Sequence, residues 1–429
     1  MKLASYWQDT APRFAGAEQD PISGRFDVAV VGGGFTGLNA ALKLARNGVA
    51  VAVLEADRVG AGGSGRNGGH LNNGMAHGFA EAKAHLGAER ASALYKAYDR
   101  SIDMIEEIIA AEAIHCDFRR AGKLKLASKA SHVAGLKAGF ELIHREVDPD
   151  TAWLDRADLT GEIVSGEFHG AMLYRKSAMM HMGKYVAGLA GAARRHGARI
   201  WEGAPLTGRS RSGTGWRLET PMGSLEADRV IVATGGYAGR IPSAPLAYFR
   251  RRIVSVGSFI VATRPLEPRE VATSMPGNRT CVTSLNIGNY FRLSPDNRLI
   301  FGGRARFSAV SDERSDARSG AILRASLARI FPSLSDVEID YCWGGLVGMT
   351  ADRLPRAGEA DGYLYGMGYS GHGAQMSTLV GQALADLAMG RPGSNPLAGL
   401  DWPPIPVHSG KPWFLPLVGL WFGLKDRLS

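Results

Sequence analysis

The residues best placed to bind a ligand form a glycine turn that follows an apolar run. Gly32, Gly34 and Gly37 make up the turn, and Glu55 lies 18 residues beyond Gly37. Gly32 permits a tight turn, Gly34 lets the backbone approach a pyrophosphate, and Gly37 lets a helix pack against a strand. A carboxylate at Glu55 accepts hydrogen bonds from a ribose and repels a 2′-phosphate. The spacing therefore predicts a site for FAD or NAD rather than NADP.

A strand, a helix and a second strand must hold these residues in place. Residues 26–31 are apolar except for Asp27 and precede the turn, a helical pattern then runs to Asn47, and residues 51–55 form the second strand. The first helical turn, with Phe35 and Thr36, presents free N–H groups to an anion. The parts of a dinucleotide-binding βαβ unit are therefore present in the required order.

A second glycine-rich segment distinguishes the two cofactors. A nicotinamide enzyme needs no such segment here, whereas an extended flavin requires backbone without Cβ atoms along its ribityl chain and ring. FAD is therefore the predicted cofactor. The predicted contacts in this segment are Ala56, Gly63, Ser64, Arg66, Asn67, Gly68 and Gly69.

Two later turns complete the predicted cofactor site. An apolar strand ends at Thr234 and Gly235, whose small size lets the strand pass close to the adenine and pyrophosphate. The turn Gly371-His372-Gly373 opens a helix at Ala374. The positive N-terminus of that helix would stabilise the anion of a reduced flavin ring.

Several stretches of the chain carry a family resemblance. They are Ser5-Tyr6-Trp7, residues 30–37, Leu54-Glu55-Ala56, residues 63–69 and residues 366–373. Together they resemble the FAD-dependent amine oxidases of the D-amino-acid oxidase superfamily, most closely the γ-glutamylputrescine oxidoreductase group. The resemblance covers nearly the whole chain. It implies an enzyme that oxidises a primary or secondary amine to an imine, which water hydrolyses to an aldehyde or ketone plus an amine.

The order of predicted elements indicates a mixed α/β fold. We predict a discontinuous, Rossmann-like FAD-binding domain over residues 1–75, 150–245 and 335–410. An interleaved substrate domain with an antiparallel sheet is predicted over residues 76–149 and 246–334. Residues 343–350 are expected to form a loop, and residues 411–429 an apolar C-terminal tail.

The resemblance to sarcosine oxidases places a basic residue over the flavin ring at His70, with Arg66 close by, as the catalytic candidates. A histidine here either relays a proton or polarises flavin N5, or has the structural role of bonding a loop carbonyl. The substrate candidates comprise an apolar cage and polar groups for orienting a head group. They are Tyr290, Phe291, Met349 and Tyr369 for the cage, and Asn73, Asn289 and Arg304 for the polar groups.

Two departures from sarcosine oxidases bear on the reaction. Ile300 stands where those enzymes use a lysine to activate oxygen, so either O2, giving H2O2, or another acceptor takes the electrons. The cysteine that tethers their flavin falls on Gly345, itself a predicted cofactor contact, so the resemblance implies non-covalent FAD. Cys342 is the alternative tether. γ-Glutamylputrescine-like polyamine derivatives, N-alkyl amino acids and other small amines remain open as substrates.

Composition limits the partners. The net charge is +9, but the arginines are scattered and form no basic block beyond Arg250-Arg251-Arg252, so we expect no nucleic acid partner. The three cysteines lack metal-site spacing, which predicts no metal and a reducing compartment. No signal peptide or apolar run of about 20 residues is recognised, so a cytoplasmic location is predicted. The oligomeric state is left open.

The tail separates two classes of function. Trp413 and Trp421 with flanking cations are typical of an interfacial membrane anchor, whereas Pro416 leaves only a short helix that needs packing for stability. The tail is therefore expected to dock on the protein's own body or on a second subunit, with a membrane contact as the alternative. A membrane contact would favour a dehydrogenase that passes electrons to quinone. A flavin-binding protein without turnover is a third interpretation.

Overall fold

Two eight-stranded sheets organise the chain. The computed structural model describes residues 1–238, 247–307, 316–391, 393 and 395–428, and at 304–306 it describes the backbone alone. The helices are α1 (Tyr6–Thr10), α2 (Phe35–Arg46), α3 (Phe79–Leu86), α4 (Ala88–Glu112), α5 (Ser131–Glu146), α6 (Met182–Arg195), α7 (Ala247–Arg250), α8 (Pro268–Ala272), α9 (Ala317–Ile330), α10 (Gly373–Ala388) and α11 (Leu415–Leu428). The strands are β1 (Arg25–Val31), β2 (Val51–Leu54), β3 (His70–Leu71), β4 (Lys123–Leu126), β5 (Ala152–Asp155), β6 (Gly170–Tyr174), β7 (Ala178–Met179), β8 (Arg199–Trp201), β9 (Gly208–Ser212), β10 (Gly215–Thr220), β11 (Gly223–Val232), β12 (Val254–Pro265), β13 (Thr280–Thr283), β14 (Tyr290–Leu293), β15 (Arg298–Arg306), β16 (Ile339–Met349), β17 (Arg356–Ala360) and β18 (Tyr363–Met367).

The first sheet contains the predicted βαβ unit. Its strand order is β17-β18-β11-β1-β2-β8, with β10 and β9 added beside β11. β1 pairs in parallel with both β2 and β11, so the carboxyl ends of these strands meet at one edge. A Cβ added at Gly37 would lie 2.0 Å from the carbonyl oxygen of Gly32, so only glycine lets α2 pack this close to the turn. The βαβ prediction is confirmed.

The second sheet has two faces of different character. Its order is β16-β12-β15-β14-β13-β4-β6-β5, and all pairs are antiparallel except β4 with β13. One face packs on α9 in an apolar core that includes Leu124, Phe291 and Leu327. Strand neighbours alternate between faces, so Tyr290 and Arg292 lie on the other face, towards the glycine-rich segment.

Several strands of the second sheet lie outside the range predicted for the substrate domain. β5 and β6 fall within 150–245 and β16 within 335–410, yet all three pair in this sheet. The expected loop after Cys342 is also wrong, because β16 continues to Met349. β12 pairs with β16 from Thr263 to Val254, so Gly344, Gly345 and Gly348 each have a partner residue on β12. The domain boundaries otherwise stay a prediction.

The tail packs against the chain's own body. Leu415 is buried with Val254 and Val256, and the Asp426 carboxylate accepts hydrogen bonds from the backbone N–H groups of Asn286 and Ile287 at 2.9 and 2.8 Å. The described residues contain no helix that is both long enough and apolar enough to cross a membrane.

Candidate functional site

The glycine turn is braced from two sides. The Phe35 N–H at the start of α2 donates to Ser64 Oγ over 2.9 Å. Glu55 Oε2 accepts from the Gly33 N–H at 2.6 Å, and Oε1 accepts from the Asp57 N–H at 3.0 Å. Burial raises the pKa of Glu55, although these two backbone donors oppose the shift. Glu55 therefore sits against the turn, as expected of a ribose-binding carboxylate, with the exposed Ala56 beside it.

The second glycine segment is held in shape by Asn67. Its Nδ2 donates to the carbonyls of Gly63 and Ser64 at 3.1 and 2.9 Å, and its Oδ1 accepts from the Gly69 N–H at 2.8 Å. Trp7 from the N-terminal arm donates its indole N–H to the Asn67 carbonyl over 2.6 Å. The segment is therefore fixed by its own side chains and by α1.

Arg66 joins this segment to β16. Its Nε donates to the Ala61 carbonyl at 2.8 Å and its Nη1 to the Gly344 carbonyl at 3.0 Å. A Cβ added at Gly345 would lie 3.1 Å from the Arg66 Cβ, so Gly345 packs on this side chain. These contacts give Arg66 a positioning role, and a catalytic role for it stays a prediction.

His70 is a buried imidazole beside Tyr290. Neither Nδ1 nor Nε2 has a partner among the described residues, and the ring stands edge-on to Tyr290 with centroids 5.6 Å apart. Burial first, and then the charges of Arg292 and Lys123, lower the pKa of His70 to about 3. The side chain is therefore neutral, and the alternative structural role, a bond to a loop carbonyl, is not seen among the described residues.

Arg292 was missed from the sequence and positions His70. Its Nη1 donates to the carbonyls of Gly69 at 2.6 Å and Met180 at 3.0 Å, and its Nε donates to the Leu293 carbonyl at 3.0 Å. Burial lowers the pKa of Arg292 to about 9. The available signal was the alternation of polar and apolar residues along β14.

Asn73 belongs to a buried polar network instead of facing a substrate. Its Nδ2 donates to Asp148 Oδ2 at 3.2 Å, and its Oδ1 accepts from the Ser177 hydroxyl at 2.6 Å. Lys123 Nζ donates to the Asn73 carbonyl at 2.7 Å. Burial lowers the pKa of Lys123 to about 7, while Asp148 and Asp99 oppose the shift. The predicted substrate role of Asn73 is corrected, because its amide is already hydrogen-bonded within the protein.

The other predicted substrate residues do not all lie at one site. Phe291 stacks on Phe301 in the core of the opposite face, with ring centroids 5.5 Å apart, so its predicted role in the cage is corrected. Asn289 lines a cavity of about 360 Å³. Phe168, a residue of the core against α9, lines the same cavity, so Asn289 lies on the α9 side of the sheet. Met349 packs with the tail cluster around Leu415. The Arg304 side chain lies outside the described residues.

The turn before α10 contributes a second buried histidine. His372 caps α10, its Nδ1 is buried without a partner among the described residues, and its ring lies 5.7 Å from that of Tyr98. Burial, and then the charges of Lys123 and Lys125, lower the pKa of His372 to about 3. The region bordered by His70, Tyr290, His372 and Tyr98 is called the ring site below.

Contacts between elements hold the ring site together. The Tyr369 hydroxyl lies 2.7 Å from Thr36 Oγ1, which joins the α10 turn to the start of α2. Gln375 Nε2 of α10 donates to the Asn72 carbonyl over 2.6 Å, close to His70 in the chain. These contacts hold the turn that carries Tyr369 and His372 against the start of α2 and against the segment that follows His70.

The residues present fit the predicted FAD. Buried polar atoms that lack partners among the described residues lie along the predicted site: Thr234 Oγ1, both His70 ring nitrogens, His372 Nδ1 and the Tyr98 hydroxyl. A buried polar group without a partner is costly, so a bound polar molecule is expected to satisfy them. The glycine turn and the start of α2 would hold the pyrophosphate, Glu55 a ribose, and the ring site the flavin.

Comparisons with known proteins agree with this arrangement. A family model, DAO, described as FAD dependent oxidoreductase, matches residues 27–387. A probable oxidoreductase OrdL of Rhizobium meliloti (strain 1021) is 33% identical over 429 residues, covering 99% of this chain and 97% of the relative. The gamma-glutamylputrescine oxidoreductase of Escherichia coli (strain K12) is 32% identical over 431 residues, covering 99% of both chains. The glycine oxidase structure from Geobacillus kaustophilus shares the fold, with a TM-score of 0.75 and 24% identity, covering 88% of this chain and 98% of that chain.

Proposed function

We propose, from the premise that this chain belongs to the DAO family of FAD-dependent oxidoreductases, that it oxidises a primary or secondary amine to an imine. Two electrons and one proton leave the carbon beside the nitrogen, a second proton leaves the nitrogen, and water then hydrolyses the imine to a carbonyl compound and an amine. γ-Glutamylputrescine-like amines are the first candidates, because the relative of that name matches the full length of this chain. N-alkyl amino acids and other small amines follow.

The observation that carries the proposal is the buried, neutral imidazole of His70 in the ring site, whose two nitrogens have no partner among the described residues. A neutral imidazole has one nitrogen that accepts a hydrogen bond and one that donates. The accepting nitrogen can therefore bind an amine N–H. The Gly69 carbonyl before it is fixed by Arg292, so the ring is held at a defined place.

The charges around His70 favour the reactive form of the substrate. Arg292 is a buried cation whose field reaches His70, and Lys123 adds to that field when it is protonated. The same fields disfavour a substrate ammonium and so lower its pKa, which favours the neutral amine whose lone pair supports loss of the C–H electrons. The chemistry that FAD supplies here is acceptance of those two electrons. We infer that the FAD is non-covalent, because Gly345 carries no nucleophile and Cys342 lies in the α9-facing core.

The electron acceptor is a separate part of the proposal. Ile300 pairs with Arg292 across the sheet and is buried on the face that carries Tyr290, where it supplies no charge. O2, with formation of H2O2, is the first candidate acceptor, and slow reaction with O2 would favour another one. Reduction of the flavin by an amine without air, followed by admission of air, separates the two half-reactions.

An anaerobic panel of amines tests the function. We expect at least one amine to bleach the flavin absorption and to yield a carbonyl product when air is absent. A matched panel of hydroxy acids should leave the flavin oxidised. Reduction by a hydroxy acid together with failure of every amine would refute the amine assignment.

A second candidate is favoured by the outer face of α11. Leu417, Leu420, Trp421 and Leu424 recur at helical spacing and are 50–72% exposed. Lys411, Lys425 and Arg427 lie nearby in sequence. Indole rings with flanking cations suit an anionic membrane interface, from which electrons would pass to a quinone. The location would then be the cytoplasmic side of a membrane; otherwise the cytoplasm is proposed, in keeping with the buried free thiols of all three cysteines.

Sedimentation with liposomes decides between these candidates. Full-length protein is compared with Leu420→Glu, which places a charge on the exposed face, using anionic and neutral vesicles. Pelleting with anionic vesicles that Leu420→Glu abolishes would make the membrane-linked dehydrogenase the leading candidate. Equal recovery of both proteins in the supernatant would support the oxidase without membrane contact.

A further inference from the structure

β4 presents two lysines to the face of the second sheet that carries Tyr290. Along this strand Leu124 and Leu126 are buried in the apolar core against α9. Strand residues alternate between faces, so Lys123 and Lys125 point the other way. Lys125 is paired with Val282 of β13, and Val282 is paired with Tyr290 of β14. Both lysines therefore border the region that contains the ring site.

The two lysines differ in their partners. Lys123 donates to the Asn73 carbonyl at 2.7 Å, lies 3.9 Å from the centroid of the Tyr174 ring, and has Asp99 and Asp148 nearby. Lys125 makes no hydrogen bond or ion pair among the described residues, and no nearby carboxylate offsets the burial that lowers its pKa. Its side chain keeps partial access to water, as expected of a residue that lines a ligand space.

An enclosed cation without a counter-ion is costly, and an anion supplied by a ligand removes that cost. The charge of Lys125 helps to lower the pKa of His372, so its electrostatic field reaches the α10 side of the ring site. The predicted pyrophosphate position is elsewhere, at the start of α2. The anion is therefore expected to come from the substrate.

We propose that Lys125 is a specificity-determining residue that binds a carboxylate of the amine substrate, remote from the nitrogen that is oxidised. The proposal rests on the proposed function. Two strand spacings separate Lys125 from Tyr290, which amounts to roughly 10 Å between backbones. The preferred substrates are therefore amines whose carboxylate lies several bonds from the amino group.

The test compares ω-amino acids with alkylamines of equal chain length, such as 6-aminohexanoate and hexylamine. Holoenzymes of wild type, Lys125→Met and Lys125→Arg are mixed with each amine without air, and the Kd and the rate of flavin reduction are measured. Lys125→Met should raise the Kd of the amino acid roughly ten- to hundredfold, the range of one charge-assisted hydrogen bond, and leave that of hexylamine unchanged. Lys125→Arg should retain most of the preference.

Two controls keep the outcomes distinct. Lys137→Met removes an exposed lysine on α5 and should change neither Kd. Binding of hexanoate and octanoate, followed by perturbation of the flavin spectrum, needs no oxidation and so tests Lys125 even if no amine reduces the flavin. Equal effects of Lys125→Met on both amines, or carboxylate binding that the variant does not weaken, would overturn the inference. Reduction by no amine, with carboxylate binding still dependent on Lys125, would instead overturn the proposed function.

Discussion

Arg292 Nη1 donates to the carbonyl of Gly69 over 2.6 Å, and this bond fixes the peptide that leads into His70. The guanidinium is buried and forms no hydrogen bond to a carboxylate in the described part of the chain. It bonds instead to three backbone carbonyls, those of Gly69, Met180 and Leu293. Arg292, a cation on β14 of the second sheet, thus positions His70, which follows the second glycine-rich segment.

Arg292→Met should lower stability and loosen the ring site. The substitution keeps length but leaves the Gly69 and Met180 carbonyls unsatisfied, at about 1–3 kcal/mol for each buried group. We expect a lower midpoint of unfolding and a broader flavin absorption band in the holoenzyme. Arg217→Met, on the exposed face of β10, is the control and should change neither. An unaltered midpoint for Arg292→Met would show that water replaces the guanidinium there.

Glu55→Ala should weaken FAD binding. Its carboxylate accepts the Gly33 N–H at 2.6 Å and is proposed to bind the ribose, so the truncation removes a contact that supports the turn and the proposed ligand contact. The expected loss is about 1–3 kcal/mol of binding free energy, measured by titration of apoprotein with FAD. Asp57→Asn removes a neighbouring exposed carboxylate and should bind FAD as wild type does. Equal dissociation constants for all three proteins would place the ribose away from Glu55.

The local parts of the site could be predicted from the sequence, and the parts that join distant segments could not. The glycine turn and Glu55 are defined within 24 residues, because each step of a βαβ unit constrains the next. Tyr290 and Phe291 were predicted to share a cage, but the alternation along β14 sends them to opposite faces. Arg292 reaches a carbonyl 223 residues away in the chain, and no local pattern reports such a contact.

His70→Asn should slow amine oxidation without changing its pH dependence. Because the pKa of His70 falls from 6.5 to about 3, the imidazole is neutral from about pH 5 to about pH 9. The variant should reduce its flavin about tenfold more slowly, the effect of one lost hydrogen bond, by the same factor across this range. Stopped-flow reduction without air measures the ratio, with the exposed His85→Asn as control. A ratio that changes near pH 6.5 would mean that His70 titrates in the enzyme.

The same shift has a consequence for acid stability. Below pH 6.5 the unfolded chain binds a proton at His70 that the folded protein refuses until about pH 3, so this residue lowers the free energy of unfolding as the pH falls through that window. His70→Asn should lose that part of the acid dependence. Denaturant unfolding at about pH 7 and about pH 5 measures the difference, and an identical pH response in the two proteins would contradict it.

Asp426→Asn should release α11 from the body without altering its exposed face. Asp426 accepts the backbone N–H groups of Asn286 and Ile287 and the Asn286 amide, at 2.7–2.9 Å. Although burial acts against it, these donors lower the pKa of the carboxyl, so the ionised form is the bound one. We expect a loss of about 1–2 kcal/mol in stability, measured by denaturant unfolding. Asp336→Asn, an exposed carboxylate, should have no effect. Leu420→Glu should also leave stability unchanged, since its side chain is 72% exposed, and a marked loss there would show that a second subunit covers this face.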